Sequence, residues 1–310
     1  MTTVRHGKGE TPSHPFFRFA MCAFLPPCAP VLNRSHFLTA LGRNDTFSQG
    51  LGVKIAISGK GGVGKTTLAG VMSRLLASQG SRVVCIDADP DSNLAGAIGI
   101  PQEELDQIRP LAQMKEFIEE RTGAKKGAYG GFFKLNPKVD DIPDQFSVAK
   151  DGLRLVVLGT IPQGGGGCFC PENVLLKAFL AHLFVERDEY VIVDMEAGLE
   201  HLGRGTSAYV DALLIVVEPG RRSFQTARQI NSLSQDLGVP RVYIVGNKVT
   251  GPSDIEMIEQ HLSGLPLLGS ISLSEKVAQA DRLGVSPYDI DDQIRREVGA
   301  IVAGLADALR

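Results

Sequence analysis

Short apolar runs alternate along the chain with longer segments in which apolar residues recur every three or four positions. The short runs have the length and β-branched content of strands that are buried on both faces of a parallel sheet. They cover residues 53–58, 82–86, 153–158, 190–193, 212–217 and 241–245. The longer segments are typical of helices and cover residues 65–79, 172–185, 224–237, 255–262 and 275–283. This alternation predicts an α/β fold, with a doubly wound, mostly parallel sheet and helices on both faces.

Three stretches depart from the alternation. Residues 1–52 contain several prolines and no regular period, so we expect a poorly ordered extension, or a mis-assigned start, ahead of one domain at 53–310. Residues 101–150 are charged and irregular, with a single predicted helix near residues 102–120. The last amphipathic segment, residues 294–309, carries charges of both signs, which favours a helix packed on the core over a membrane anchor.

Charge and hydropathy argue against several classes of protein. The 32 lysines and arginines against 35 aspartates and glutamates give a formal net charge of −3, so no basic surface for nucleic acid is expected. The chain has no uninterrupted apolar run of about 18 residues, so no transmembrane helix is predicted. Five cysteines are an odd number for a disulfide scaffold. We therefore expect a cytoplasmic protein that binds neither nucleic acid nor a membrane.

A glycine-rich sequence lies between the first predicted strand and the first predicted helix. Residues 59–66 read GKGGVGKT and match the phosphate-binding pattern G-x-x-x-x-G-K-[ST]. In such a loop the backbone N–H groups and the positive end of the helix dipole face phosphate oxygens. Lys65 is then expected to reach the β- and γ-phosphates of ATP, and Thr66 to bind Mg²⁺. The other residues predicted to bind ATP or ADP here are Gly59, Gly61, Gly62, Val63, Gly64 and Thr67.

Lys60 is a second lysine, at the start of the same loop. Its position resembles the deviant Walker A sequence of the MinD/ParA/nitrogenase iron protein class of P-loop ATPases. In that class the early lysine reaches across a dimer to the phosphate of the partner. The resemblance therefore implies a catalytic role for Lys60 in trans, comparable to that of an arginine finger. A solvated surface lysine is the alternative interpretation.

Acidic residues follow two of the predicted strands, at the edge where α/β sheets bind ligands. Asp87 and Asp89 follow one strand, and Asp194 ends the apolar sequence VIVD. The resemblance implies that Asp89 orients or activates the attacking water, Asp87 supports the water shell of the metal, and Asp194 holds Mg²⁺ through water. It also implies that Gly198, in the sequence DMEAG, contacts the γ-phosphate region and that Asn247 reads adenine. A turn with helix-capping acids is the alternative for Asp87 and Asp89, and a turn residue at a strand end is the alternative for Asn247.

Two cysteines lie in the sequence GGGGCFCPEN, residues 164–173. Pro171 suits the first position of the following helix, which places Cys170 near a helix N-terminus that favours a thiolate. Cys168 and Cys170 are too few ligands for a closed soft-metal site, but a symmetric dimer would bring four thiolates together. Four sulfur ligands suit Zn²⁺ or Ni²⁺. A redox-active dithiol or a pair of packed thiols is the alternative, whereas Cys85 lies in a predicted buried strand and is expected to be inert.

Longer stretches make the resemblance more specific. The sequences GGGGCFCPENVLLKAFL, VDMEAGLEHLGRGT and VEPGRRS are similar to those of the CooC-type accessory ATPases, and the similarity runs from Val53 to the C-terminus. It implies a homodimeric ATPase that binds Ni²⁺ or Zn²⁺ through Cys168 and Cys170 at the dimer interface. The implied function is nickel insertion into carbon monoxide dehydrogenase or a related acetyl-CoA synthase. Two alternatives stay open: a ParA/MinD-type positioning ATPase, and an electron-transfer ATPase with a [4Fe–4S] cluster on the same cysteines.

Overall fold

The computed structural model describes residues 52–124, 134–159, 171–186, 188–197, 199 and 207–310. Within these ranges the chain forms eight β-strands and eleven α-helices. The strands are β1 (Lys54–Gly59), β2 (Val83–Ala88), β3 (Val148–Lys150), β4 (Leu153–Val157), β5 (Tyr190–Met195), β6 (Ala212–Val217), β7 (Val242–Val249) and β8 (Leu267–Ser272). The helices are α1 (Lys65–Ser78), α2 (Leu94–Ile98), α3 (Gln102–Leu105), α4 (Lys115–Thr122), α5 (Ile142–Phe146), α6 (Pro171–Glu186), α7 (Arg221–Leu237), α8 (Pro252–His261), α9 (Glu275–Leu283), α10 (Pro287–Ile290) and α11 (Asp292–Leu309).

The strands form one sheet in the order β3-β4-β2-β5-β1-β6-β7-β8. Neighbouring strands are parallel, except β3 and β4, which are antiparallel. Because β1 lies between β5 and β6, the loop that follows β1 is flanked by the ends of two strands from much later in the chain. The predicted doubly wound, mostly parallel fold is confirmed.

Side chains that alternate along each strand build a separate core on each face of the sheet. On one face, Ile55 and Ile57 of β1 lie in a core with buried residues of α1 and α11. On the other face, Ala56 lies in a core with buried residues of α6 and α7. Strands with both faces covered in this way read as continuous apolar runs, which explains why their positions were visible in the sequence.

The C-terminal helix α11 packs on the first of these cores. Its residues Ile294, Val298 and Ile301 are almost completely buried, and α11 lies against β8 and α1. The prediction that this amphipathic segment packs on the core is confirmed. In the described ranges no helix is both long and apolar enough to cross a membrane.

The sequence pattern did not predict two strands. β3 has only three residues, none of them fully buried, so it carries no continuous apolar signal. The sequence of β8, LLGSIS, is interrupted by Gly269, and an added Cβ there would lie 2.8 Å from Cγ1 of Ile301. The close approach of α11 to this edge of the sheet requires glycine, and glycine weakens the strand pattern.

The prediction of a single helix near residues 102–120 is wrong. The chain forms α3, then a 3₁₀ turn at Leu111–Gln113, then α4. Pro110 lies at the break with φ −58° and ψ 137°, an extended conformation that no α-helix contains. A proline inside a helical pattern ends the helix at that point, which is the physical reason for the division.

The packing of α1 on α2 predicts opposite effects for two glycine substitutions. A Cβ added to Gly70 of α1 would lie 2.7 Å from the Cβ of Ala97 and 2.9 Å from its carbonyl, whereas one added to Gly96 of α2 would meet nothing within 4 Å. Gly70→Ala is expected to lower the free energy of unfolding by about 1–3 kcal/mol through overpacking. Gly96→Ala, the matched control, should raise it by about 0.5–1 kcal/mol through helix propensity. Urea unfolding of the full chain measures both, and equal stability of the two variants would contradict the close helix contact.

Candidate nucleotide site

The loop between β1 and α1 has the backbone of an anion-binding turn. Gly62 and Gly64 lie in the left-handed region, with φ 76° and 96°. The Val63 N–H donates to the Lys60 carbonyl at 3.3 Å, and the Leu68 N–H donates to the Gly64 carbonyl at 3.0 Å. A Cβ at Gly62 would meet nothing within 4 Å, so this part of the loop is open. At Gly64 glycine is required twice, by its φ and because a Cβ would lie 2.1 Å from Nδ2 of Asn247.

Lys65 lies at the first position of α1 and points to the end of β2. Its side chain is only 5% exposed, and its Nζ lies 3.4 Å from Oδ2 of Asp89, which is 14% exposed. The backbone N–H of Asp89 is close to Oδ1 of Asp87, at 3.3 Å. The structure thus brings together Lys65, Asp89 and Asp87, three residues for which the sequence predicted roles in nucleotide hydrolysis.

Two carboxylates lie side by side inside the sheet beneath the loop. Asp87 of β2 and Asp194 of β5 are register partners, and both are completely buried. Asp87 accepts a hydrogen bond from the Leu94 N–H at 3.1 Å, which ties it to the first turn of α2. This contact resembles the capping role that is the alternative for Asp87. The two side-chain oxygens of Asp194 have no well-formed hydrogen bond to any residue that the structure describes.

Burial changes the acidity of both groups. Loss of hydration, together with the charge of the neighbouring Asp194, raises the pKa of Asp87 to about 7. Burial likewise raises the pKa of Asp194 to about 6, although the Thr66 hydroxyl and the Lys65 charge act in the opposite direction. The site therefore holds negative charge that the described residues of this subunit compensate only in part.

The residues present fit a divalent cation. Mg²⁺ prefers oxygen ligands and keeps several waters, which suits one or two carboxylates and a hydroxyl beside the phosphates. The buried carboxylate of Asp194 and the nearby Thr66 hydroxyl supply such a set. Asp87 and Asp194 would hold the ion through water, and Thr66 would bind it directly. When bound, the ion would neutralise charge on the phosphates and on the two buried acids.

Asn247 fixes the loop from the other side. It lies within β7 and is 7% exposed. Its Nδ2 donates to the Val63 carbonyl at 2.6 Å, and its Oδ1 accepts from the Lys248 N–H at 2.9 Å. The structure therefore gives Asn247 a loop-holding role that the sequence did not predict, while its contact with adenine stays a prediction.

Glu218 lies in the sequence VEPGRRS, and the sequence pattern predicted no role for it. Glu218 follows β6 directly and is 28% exposed. Its Oε1 lies 2.9 Å from the Nζ of Lys60, and its Oε2 lies 3.3 Å from the Nζ of Lys248. An acid just past a buried strand, at the same edge as Asp87 and Asp194, is the signal that could have identified it.

Three predicted site residues lie outside the described residues: Cys168, Cys170 and Gly198. The helix expected after the cysteines does begin at Pro171, as predicted. Cys85 is completely buried in β2, and burial raises the pKa of its thiol to about 12, consistent with an inert core residue. Among the residues that the structure describes, no group of three or more His, Cys, Asp or Glu side chains is arranged to hold a metal ion.

The phosphate-binding geometry of this loop agrees with the protein family that the sequence matches. Residues 54–287 match the CobQ/CobB/MinD/ParA nucleotide binding domain. The chain belongs to this family. The predicted P-loop ATPase, with ATP or ADP and Mg²⁺ at the loop, is thereby confirmed at the level of the family.

Relatives within the CobQ/CobB/MinD/ParA family make the assignment more specific. The chain is 46% identical to the carbon monoxide dehydrogenase accessory protein CooC of Rhodospirillum rubrum, over 82% of this chain and 97% of that protein. It is 44% identical to an uncharacterized ATP-binding protein of Methanocaldococcus jannaschii, over 80% of this chain and 96% of that protein. The predicted resemblance to the CooC-type ATPases is confirmed.

A solved family member shows the same fold. The MinC:MinD cell division protein complex of Aquifex aeolicus superposes with a TM-score of 0.58, over 83% of this chain and 95% of that chain. The sequence identity of the superposed chains is 20%, so this likeness concerns the fold alone.

In this CooC-type ATPase, the raised pKa of Asp194 predicts that the substitution Asp194→Asn increases thermal stability by an amount that depends on pH. Because the pKa rises from 3.8 to about 6 on folding, the folded protein binds more protons than the unfolded chain in that range. The contribution of Asp194 to stability therefore falls as the pH rises from about 4 to 6 and stays low above it. Asp194→Asn removes the buried charge and should raise the unfolding midpoint of the nucleotide-free chain by about 3–8 °C at pH 8, but by much less at pH 4.5.

Calorimetric or fluorescence melts of the full chain at the two pH values measure this difference. Asp236→Asn is the matched control, because Asp236 is an exposed residue of α7. It should leave the midpoint within about 1 °C of the wild type at both pH values. An Asp194→Asn gain of the same size at both pH values would show that the carboxylate is not protonated in the folded protein at low pH.

Proposed function

We propose that this ATPase assists nickel insertion into carbon monoxide dehydrogenase, or into a related acetyl-CoA synthase, by nucleotide-controlled homodimerisation around a metal site. The observation that carries the proposal is the 46% identity to the CooC accessory protein across 97% of that protein's length. The sequence C-x-C-P-E-N, with its two candidate thiolates, lies within the stretch that resembles the family. The geometry of the loop supports the ATP-dependent half of the function.

ATP binding is proposed to rearrange the ion pair between Lys65 and Asp89. The two side chains balance each other inside a largely buried site. Phosphate oxygens carry more negative charge than one carboxylate and would draw Lys65 to the β- and γ-phosphates. Asp89 is then free to accept a hydrogen bond from the attacking water. Binding of the substrate thus prepares the group that orients the nucleophile.

Dimerisation is proposed to supply the two further thiolates and the catalytic lysine that a single subunit does not provide for itself. Cys168 and Cys170 of two copies provide four thiolates, a complete set for a tetrahedral or square-planar Ni²⁺ or Zn²⁺. Lys60 of each copy approaches the phosphates of the other and stabilises the charge that develops during hydrolysis. Closure with ATP and opening after hydrolysis would control when the ion, as cargo, is held and when it is released to the client enzyme.

The metal site is tested by the double substitution Cys168→Ser, Cys170→Ser. Serine keeps the shape but removes the thiolates, so the variant should bind no Ni²⁺ or Zn²⁺ and should lose metal-induced dimerisation. Its affinity for ATP should stay within about twofold of the wild type, because the P-loop is unchanged. Metal content by mass spectrometry and molar mass by light scattering measure both effects.

Cys85→Ser is the matched control, since Cys85 is buried and lies in β2. This variant should keep the full metal content. Unchanged metal content in the double variant would contradict the site. Iron and sulfide in protein purified without oxygen would favour the electron-transfer alternative. A nickel-dependent carbon monoxide dehydrogenase that matures equally well with the double variant would contradict the proposed client.

The loop assignment is tested by Lys65→Ala. Loss of the cation at the β- and γ-phosphates should lower kcat for ATP hydrolysis by a factor on the order of 10²–10³. Binding of Ni²⁺ or Zn²⁺ should be retained, which separates the two halves of the function. Lys276→Ala, at an exposed position of α9, is the control and should hydrolyse ATP at the wild-type rate. Full activity of Lys65→Ala in a phosphate-release assay would contradict the assignment.

A further inference from the structure

We propose that Glu218 is a positioning residue that holds Lys60 within its own subunit until the dimer closes. The proposal rests on the proposed function in one respect, the role of Lys60 in the partner's site. Glu218 lies outside the phosphate-loop motif, and Lys60 must leave Glu218 before it can reach the other subunit.

One carboxylate connects both sides of the phosphate loop. Lys60, at the start of the loop, lies with its Nζ 2.9 Å from Oε1 of Glu218. Lys248 approaches Oε2 at 3.3 Å and also donates to the Gly62 carbonyl at 2.6 Å. Lys60 and Gly62 belong to the loop, whereas Glu218 and Lys248 follow or end two other strands. In this arrangement the Lys60 side chain points towards its own subunit.

The backbone fixes the position of Glu218 beside Lys60. In the parallel register Gly59 pairs with Val216, so Lys60 and Glu218 emerge together at the carboxyl edge of the sheet. The Glu218 N–H donates to Oγ of Ser223 at 3.1 Å, and Ser223 is buried in the first turn of α7. Glu218 is therefore held between a central strand and the helix that follows it, and its position does not depend on a flexible loop.

The contact is weak enough to be reversible. Lys60 is 35% exposed and Glu218 is 28% exposed, and ion pairs with this access to water contribute little to stability. The hydrogen bond from Lys60 lowers the pKa of Glu218, with a further contribution from Lys248, so the carboxylate is ionised at neutral pH. A negative charge near Lys60 can compete with the Glu218 carboxylate for the Lys60 ammonium group.

Lys248 provides a second cationic partner for the Glu218 carboxylate when Lys60 moves to the other subunit. When Lys60 leaves, the Glu218 carboxylate still has the Lys248 ammonium beside it. Lys248 in turn has the Gly62 carbonyl as a second partner, and its backbone is held at φ 56°, an unusual conformation for a residue other than glycine. Glu218 therefore keeps a positively charged partner within its own subunit after Lys60 has moved away.

The first test measures the release of Lys60 in the nucleotide-free full chain. Glu218→Gln keeps the size of the side chain but removes its charge. The rate at which an amine reagent modifies Lys60, read by peptide mass spectrometry, should rise about two- to fivefold in Glu218→Gln. Modification of Lys276, an exposed residue of α9, is the internal reference and should not change. Glu256→Gln, an exposed glutamate on α8, is the matched control and should leave the Lys60 rate as in the wild type.

The second test measures closure. With Mg²⁺ and a non-hydrolysable ATP analogue, Glu218→Gln should lower the protein concentration at half-dimerisation about two- to fivefold, because Lys60 no longer has to leave an ion pair. The effect should vanish when Lys60 is also replaced by alanine. Sedimentation velocity measures the dimer, and a thermal melt within about 2 °C of the wild type shows that the variant is folded.

The outcomes separate this inference from the proposed function. A wild-type protein that stays monomeric with the analogue and with metal contradicts the proposed function. A wild-type protein that dimerises, while Glu218→Gln leaves both Lys60 labelling and dimerisation unchanged, contradicts the role of Glu218 alone. Weaker dimerisation of Glu218→Gln would also overturn it, because Glu218 would then support the closed state.

Discussion

Two carboxylates buried side by side at one edge of a parallel sheet set the conditions for the rest of this site. Asp87 and Asp194 are register partners on adjacent strands, and neither is exposed to solvent. Burying two like charges is unfavourable, and the raised pKa of each group expresses that penalty. The fold tolerates the penalty because both strands also contribute to continuous apolar cores on the two faces of the sheet. The arrangement favours any ligand that brings positive charge to this point, and Mg²⁺ with a nucleotide does so.

The phosphate loop is held by contacts from three other strands, and each contact joins charged or polar groups. Asp89, just after β2, pairs with Lys65, and Glu218, just after β6, pairs with Lys60. Asn247, near the end of β7, binds the Val63 carbonyl. Nucleotide phosphates would compete with Asp89 and Glu218 for the lysines of the loop. Binding of a nucleotide can therefore change several ion pairs at once, as the proposed control of dimerisation requires.

Much of this molecule could be predicted from its sequence, because its strands are buried on both faces and its loop has a specific pattern. The central strands and most helices appear as apolar runs and helical periods, and GKGGVGKT locates the loop. The short β3, the glycine-containing β8 and the division at Pro110 could not be read in the same way. β3 is too short and too exposed to carry an apolar signal, whereas in β8 and at Pro110 a single residue interrupts the local pattern.

The site shows the same division between local and long-range information. The roles predicted from the sequence for Lys60, Lys65 and the acids Asp87, Asp89 and Asp194 each rest on a local motif. The pairing of Lys60 with Glu218 depends on the register of β1 with β6, two strands that are far apart in the chain. Asn247 was predicted from its motif, but its hydrogen bond to Val63 depends on the packing of β7 beside β6. Contacts of this kind follow from topology, and a single sequence does not contain them in a form that periodicity reveals.

Asp87 and Asp194 are expected to ionise fully when Mg²⁺ and nucleotide bind, because a nearby cation favours the charged form of a carboxylate. The most direct measurement is the proton release on binding of ADP saturated with Mg²⁺, by titration calorimetry in buffers of different ionisation enthalpy. With pKa values near 7 and 6 for Asp87 and Asp194, the free protein should release roughly one proton at pH 6.5 and almost none at pH 8.5. A release close to zero at both pH values would show that these carboxylates are already ionised in the free protein, and it would contradict the account.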